Sequence, residues 1–142
     1  TGGTVENCTI AGNRSSALTG SGIYLAGGNA VCRNNIIYGN GAGVASEAIC
    51  NLEYSSAKTF ANNIVDPADK GTDNSAKDPL FKAAATGDYT LAIGSPAIDA
   101  GDPASTAWVR ERSPRGHRVN LGAYGGTPYS SGIATGFMII VR

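Results

Sequence analysis

The chain has 142 residues, 42% hydrophobic and 15% charged, and its 11 basic and 11 acidic side chains cancel at neutral pH. That is enough chain for one folded domain with a real core, and the balanced charge excludes a general pull toward nucleic acid or anionic lipid. No apolar run approaches the roughly 20 residues that a membrane-spanning helix needs.

The 20 glycines and the clustered asparagines suit many short strands joined by tight turns, because both residues tolerate left-handed backbone. The first element is NCTIAGN at 7–13, and it returns as NNIIYGN at 34–40 and NNIVDP at 62–67. Aligned, the copies read Val5-x-x-Cys8-x-Ile10-x-x-Asn13, Cys32-x-x-Asn35-x-Ile37-x-x-Asn40 and Phe60-x-x-Asn63-x-Val65, with periods of 27 and 28 residues. A fixed period of this length marks a repeat whose units bury their apolar faces only by stacking on each other. The Val, Ile and Asn content favours strands over helices. Each copy then reads as strand, bend, strand. An inward Asn at the bend bonds backbone groups and the amide stacked above it, since a buried amide must be satisfied. Asn35 and Asn63 are the expected steps of this ladder, with Cys8 in the same slot of the first copy. GIYLA at 22–26 and GVAS at 43–46 supply further strands between copies.

This pattern resembles the right-handed parallel β-helix repeat of secreted bacterial and archaeal proteins, pectate-lyase-like folds among them. It implies an all-β fold of about three rungs over 1–77. From Asp78 the pieces DPLF, GDYTL, GSPAIDAGD and GAYGGTP follow in order over 78–128. They resemble the C-terminal closing segment of bacterial β-helix surface proteins. Pro79 breaks the coil there, and Leu80 and Phe81 are expected to cover the open end of the core, with Ile98 folded over the last rung. DYTLAI alternates like a half-buried strand. TAWVRERSPRGH at 106–117 reads as a surface loop, and residues 129–142 end in a strand, FMIIV, without an assigned role.

Cys8, Cys32 and Cys50 are odd in number and lack CxxC spacing, so they read as buried thiols rather than disulfides or a zinc site. Asp66, Asp69, Asp73 and Asp78 are the strongest candidates for chemistry. Clustered carboxylates on such a flank can bind Ca²⁺ or act as acid and base on a sugar, although their spacing matches no calcium loop and a solvated loop is the plainer reading. Tyr38, with Tyr24 and Tyr54, could line a sugar-binding flank. Asp99 and Asp102 are expected to bond backbone amides in turns. Arg110, Arg112, Arg115 and Arg118 with His117 form a basic run open to an anionic group, interrupted by Glu111 and without an aromatic series for nucleic acid. No nucleophile motif accompanies the single histidine.

The chain thus reads as the last rungs and cap of an extracellular or cell-surface protein, structural and adhesive, presenting a flank to a glycan or another protein. No cofactor is required, with Ca²⁺ the one candidate. Two alternatives stand: the tail of a polysaccharide lyase or glycoside hydrolase whose site lies upstream, and a subunit that self-associates into filaments through its first rung.

Overall fold

The computed structural model of the chain describes residues 2–14, 22–26, 28–41, 52–56, 59–66 and 68–132. The strands expected at 43–46 and within 129–142, Cys50, and the Tyr54 side chain lie outside what is described. The apolar positions of the repeat form short strands: β1 (Thr4–Glu6), β2 (Thr9–Ala11), β3 (Ile23–Ala26), β4 (Val31–Arg33), β5 (Ile36–Tyr38), β6 (Leu52–Ser56), β7 (Thr59–Ala61) and β8 (Ile64–Val65). They pair as parallel sheets in the orders β1–β4–β7, β2–β5–β8 and β3–β6. The fold is all-β with parallel sheets.

Equivalent positions of successive copies stand beside each other. Val5, Cys32 and Phe60 are in register, as are Ile10, Ile37 and Val65. These six pack with Ile23, Leu25 and Ala30 into one apolar cluster. The bend in each copy falls on Asn7, Asn34 or Asn62, at φ of 49°, 58° and 53°. Asn takes this left-handed conformation more readily than other side chains with a Cβ. The next residue, Cys8, Asn35 or Asn63, then occupies the ladder slot.

A further, shortened copy follows. Thr72 and Ser75 bridge in parallel to Ala61 and Ile64, and Asp73 repeats the left-handed bend at φ 53°. Gly71 makes this return possible. It sits at φ 73°, and a Cβ there would lie 1.8 Å from the carbonyl oxygen of Phe60.

The closing segment does not cover the end of the core. It lies along the outer flank. Side chains alternate across a strand, so Ile37 and Val65 point inward while Ile36 and Ile64 point out. Ile36 and Ile64 are 1% exposed because Leu91, Ala97 and Leu121 pack on them. Each such burial contributes about 1.5–3 kcal/mol. Leu80, expected over the core, is 42% exposed; Phe81 and Ile98 pack against the flank cluster. The segment opens with an antiparallel hairpin, β9 (Phe81–Ala83) and β10 (Asp88–Leu91), joined by a 3-10 turn at Ala84–Thr86. It continues as irregular chain whose amides bond within it, Leu121 to the carbonyl of Ala97 at 2.9 Å and Gly101 to that of Val119 at 2.8 Å.

Contacts with the repeat run from the first copy to the third. Ala123 N–H donates to Thr9 Oγ1 at 3.1 Å, Gly122 N–H to the carbonyl of Asn34 at 2.9 Å, and the Arg118 guanidinium to Asn62 Oδ1 at 3.4 Å.

The stretch at 106–117 is not simply a surface loop. Glu111 is 3% exposed, and its Oε1 accepts the amides of Asn120 at 2.7 Å and Gly126 at 2.8 Å. Burial pushes its carboxyl above the usual range, and neighbouring Asp99 adds to the effect. The two amides and Arg115 oppose it.

Candidate functional site

The ladder positions meet as a bonded column. Asn35 Nδ2 and the Asn35 amide both donate to Asn63 Oδ1 at 3.0 Å, and the Cys8 amide donates to Asn35 Oδ1 at 2.9 Å. The column extends to Asn74, whose Oδ1 accepts the Asn63 amide at 2.8 Å and its Nδ2 at 2.9 Å. These buried amides hold the bends together. Beside them Cys32 is fully buried and its thiol is pushed up to about 12, chiefly by that burial. It stays protonated near neutral pH and is no nucleophile.

The four expected aspartates do not gather. Asp66 follows β8 half-buried, and Asp73 occupies the exposed left-handed bend. Asp69 pairs with Lys70 at 2.9 Å, a bond that holds its carboxyl below the usual range. Among the described residues, no three His, Cys, Asp or Glu side chains group so as to hold a metal ion.

Asp78 and Tyr38, however, share one groove of about 620 Å³. One wall is the outer edge of the β2–β5 pair, where Ala11 stands in register with Tyr38. Tyr38 lies two residues beyond Ile36, so both face outward. The other wall is the β9–β10 hairpin, which contributes Phe81 and Tyr89. Their rings meet edge to face, with centroids 5.2 Å apart and planes at 86°. Gly12, at φ 67°, leaves room for the Tyr89 hydroxyl, which would lie 3.3 Å from a Cβ at that position. Asp78 Oδ1 accepts the Leu80 amide at 2.8 Å, which fixes the carboxylate where the hairpin begins. Three aromatic rings and one carboxylate thus share a concave surface otherwise lined largely by alanine and glycine.

The remaining candidates are placed elsewhere. Tyr24 is 57% exposed on β3, in a different sheet. Asp102 accepts the Ala104 amide in a turn at 2.8 Å and faces Arg33 at 3.6 Å; Asp99 sits at a left-handed position, φ 54°. The basic run is divided. Arg118 donates to the carbonyls of Gly101 at 2.7 Å and Ala100 at 2.9 Å. Arg115 bonds the Glu111 carbonyl at 3.1 Å, and His117 meets the Trp108 ring at 5.0 Å.

The sequence reading missed Tyr89. The alternation of DYTL put it on the face opposite Thr90, but nothing local shows that this face meets β5. Compared with models of known families, with curated proteins and with solved structures, the chain has no significant match.

Proposed function

We propose that this chain is part of a right-handed parallel β-helix from a secreted or cell-surface protein, with a structural and adhesive role, and that it holds an oligosaccharide between its repeats and its closing hairpin. The parallel register of successive copies and the asparagine column support the first part. The groove shared by Tyr38, Phe81, Tyr89 and Asp78 carries the second.

Aromatic faces stack on the C–H faces of sugar rings, and a carboxylate accepts bonds from paired sugar hydroxyls. Asp78 is the one charged side chain among the described residues of the lining. A neutral or amino sugar therefore suits the groove, whereas a uronate would meet a like charge without a compensating cation.

The test is a titration with neutral, amino and uronate oligosaccharides. Neutral or amino sugars should bind, and Tyr38→Ala or Tyr89→Ala should weaken them about tenfold, the equivalent of ~1.4 kcal/mol per lost ring. Preferential uronate binding, or affinity indifferent to both variants, would overturn the reading.

A further inference from the structure

A second groove, of about 440 Å³, lies on the other side of the hairpin. Lys82, Ile93, Arg112, Ser113, Pro114 and Tyr129 are among the residues that line it. We propose that this groove docks a short acidic segment of another protein, with apolar side chains between its carboxylates.

Three observations lead there. Ile93 at 78% exposed and Tyr129 at 79% are the two most exposed large apolar side chains among the described residues, and both stand on this one groove. One exposed apolar side chain is ordinary; two from separate segments around one concavity mark a contact surface. Arg and Tyr are also the side chains that most often anchor protein interfaces.

The charge of the lining is one-sided. Lys82 and Arg112 are exposed, neither is in an ion pair with a described residue, and no carboxylate is among the described residues that line the groove. Lys82 also acts at longer range on Asp88, whose carboxylate accepts the Thr90 amide and hydroxyl at 2.9 and 2.6 Å and lies outside the groove's lining. Arg presents a planar fork that fits a carboxylate with two parallel bonds. Residues 133–142, IATGFMIIVR, contain one arginine and no acidic side chain.

The walls are also preformed. Ser130 Oγ accepts the Arg112 amide at 3.0 Å, Ser131 Oγ donates to the Leu91 carbonyl at 2.8 Å, and Asn120 Nδ2 donates to the Ser131 carbonyl at 2.8 Å. These bonds tie the separate segments before any partner arrives, which lowers the ordering cost of binding. They also use the Ser131 hydroxyl as a donor and the Ser130 hydroxyl as an acceptor, while the Thr90 hydroxyl donates to Asp88. Fewer neutral polar groups are left to read sugar hydroxyls, which favours a peptide over a glycan here.

The experiment is a fluorescence titration with a labelled short peptide that alternates acidic and apolar residues, beside the same peptide with Lys in place of its acids and a sulfated oligosaccharide. The acidic peptide should bind saturably and more weakly as salt rises. The double variant Lys82→Glu with Arg112→Glu should lose at least about tenfold in affinity for it and gain the lysine peptide, while Tyr129→Ala should weaken both pairings. All three substituted side chains are exposed, so folding should be unchanged, with circular dichroism as the check. Tyr38→Ala should leave peptide binding intact, which separates this site from the aromatic groove. No binding of the acidic peptide, equal binding of both peptides by the native chain, or tighter binding of the sulfated oligosaccharide would each refute the proposal.

Discussion

The buried side-chain oxygen of Asn34 accepts the backbone N–H of Asp102 at 2.8 Å, across 68 residues of chain. Asn34 is also the left-handed bend of the second copy, and its own carbonyl accepts the Gly122 amide at 2.9 Å. One residue therefore turns the repeat and fastens the closing segment to it.

Two substitutions separate those duties. Asn34→Gly keeps the bend and loses the side-chain bond, so it should cost about 1–3 kcal/mol in urea unfolding. Asn34→Ala also forces a Cβ into left-handed backbone and should cost about 1–2 kcal/mol more. Equal losses in the two variants would show that the bend contributes nothing.

Asn63 sits in the middle of the amide column and is 1% exposed. Asn63→Ala strands the Asn35 amide that bonds it and should destabilise by about 2–4 kcal/mol. Asn63→Asp keeps the acceptor but buries a charge, so it should be worse near neutral pH and recover partly in acid. Unfolding curves at two pH values would show the difference.

Gly71→Ala should be among the most damaging single changes. The added Cβ would lie 1.8 Å from the Phe60 carbonyl, at a φ of 73°, so the shortened copy could not return at this point. A loss of more than about 3 kcal/mol is expected, and a melting temperature within a degree or so of the native value would contradict the geometry.

Glu111 makes a prediction about pH. Burial raises its folded-state pKa above the ordinary 4.5, so the folded state holds the proton more tightly than the unfolded chain does. The stabilisation is fully present below about pH 4.5 and is lost as pH rises through the raised value. Glu111→Gln removes this titration. The variant should therefore gain stability relative to the native chain between about pH 4 and pH 7, read from paired melts; a constant difference across that range would count against the raised value.

The repeat was legible because stacking demands the same side-chain types at the same interval, and Cys8, Asn35 and Asn63 fall on it. Asn74 was not, because its copy returns 11 residues after Asn63 and offers only Gly71 and Ala76 where the template has the larger Phe60 and Val65. The adjacent apolar pairs Ile36-Ile37 and Ile64-Val65 carried a signal that went unread: a strand apolar on both faces is covered on both faces. That signal places the closing segment on the flank instead of over the end. For the aspartates at 66–78 a solvated loop is the plainer reading, and closeness in sequence around an irregular loop does not by itself gather three carboxylates into a metal site among the described residues. Asp78 reaches Tyr38 only through the path of the hairpin. Glu111, among arginines, looked solvated, and only the returning loop at 120–126 reveals it as buried.

The amide column has a direction. The bonds onto its carboxamide oxygens all run the same way: Cys8 donates to Asn35, Asn35 to Asn63, and Asn63 to Asn74. Asn74 is then held by the carbonyls of Phe60 at 3.2 Å and Lys70 at 2.6 Å. At the other end Cys8 contributes a backbone donor but no carboxamide, and its thiol points back to the Glu6 carbonyl at 3.2 Å. A column whose carboxamides are present at one end and missing at the other opens from the end that lacks them. Amide hydrogens should exchange first at Cys8, later at Asn35 and last at Asn63, so the column opens at Cys8 while the return at Asn74 still holds.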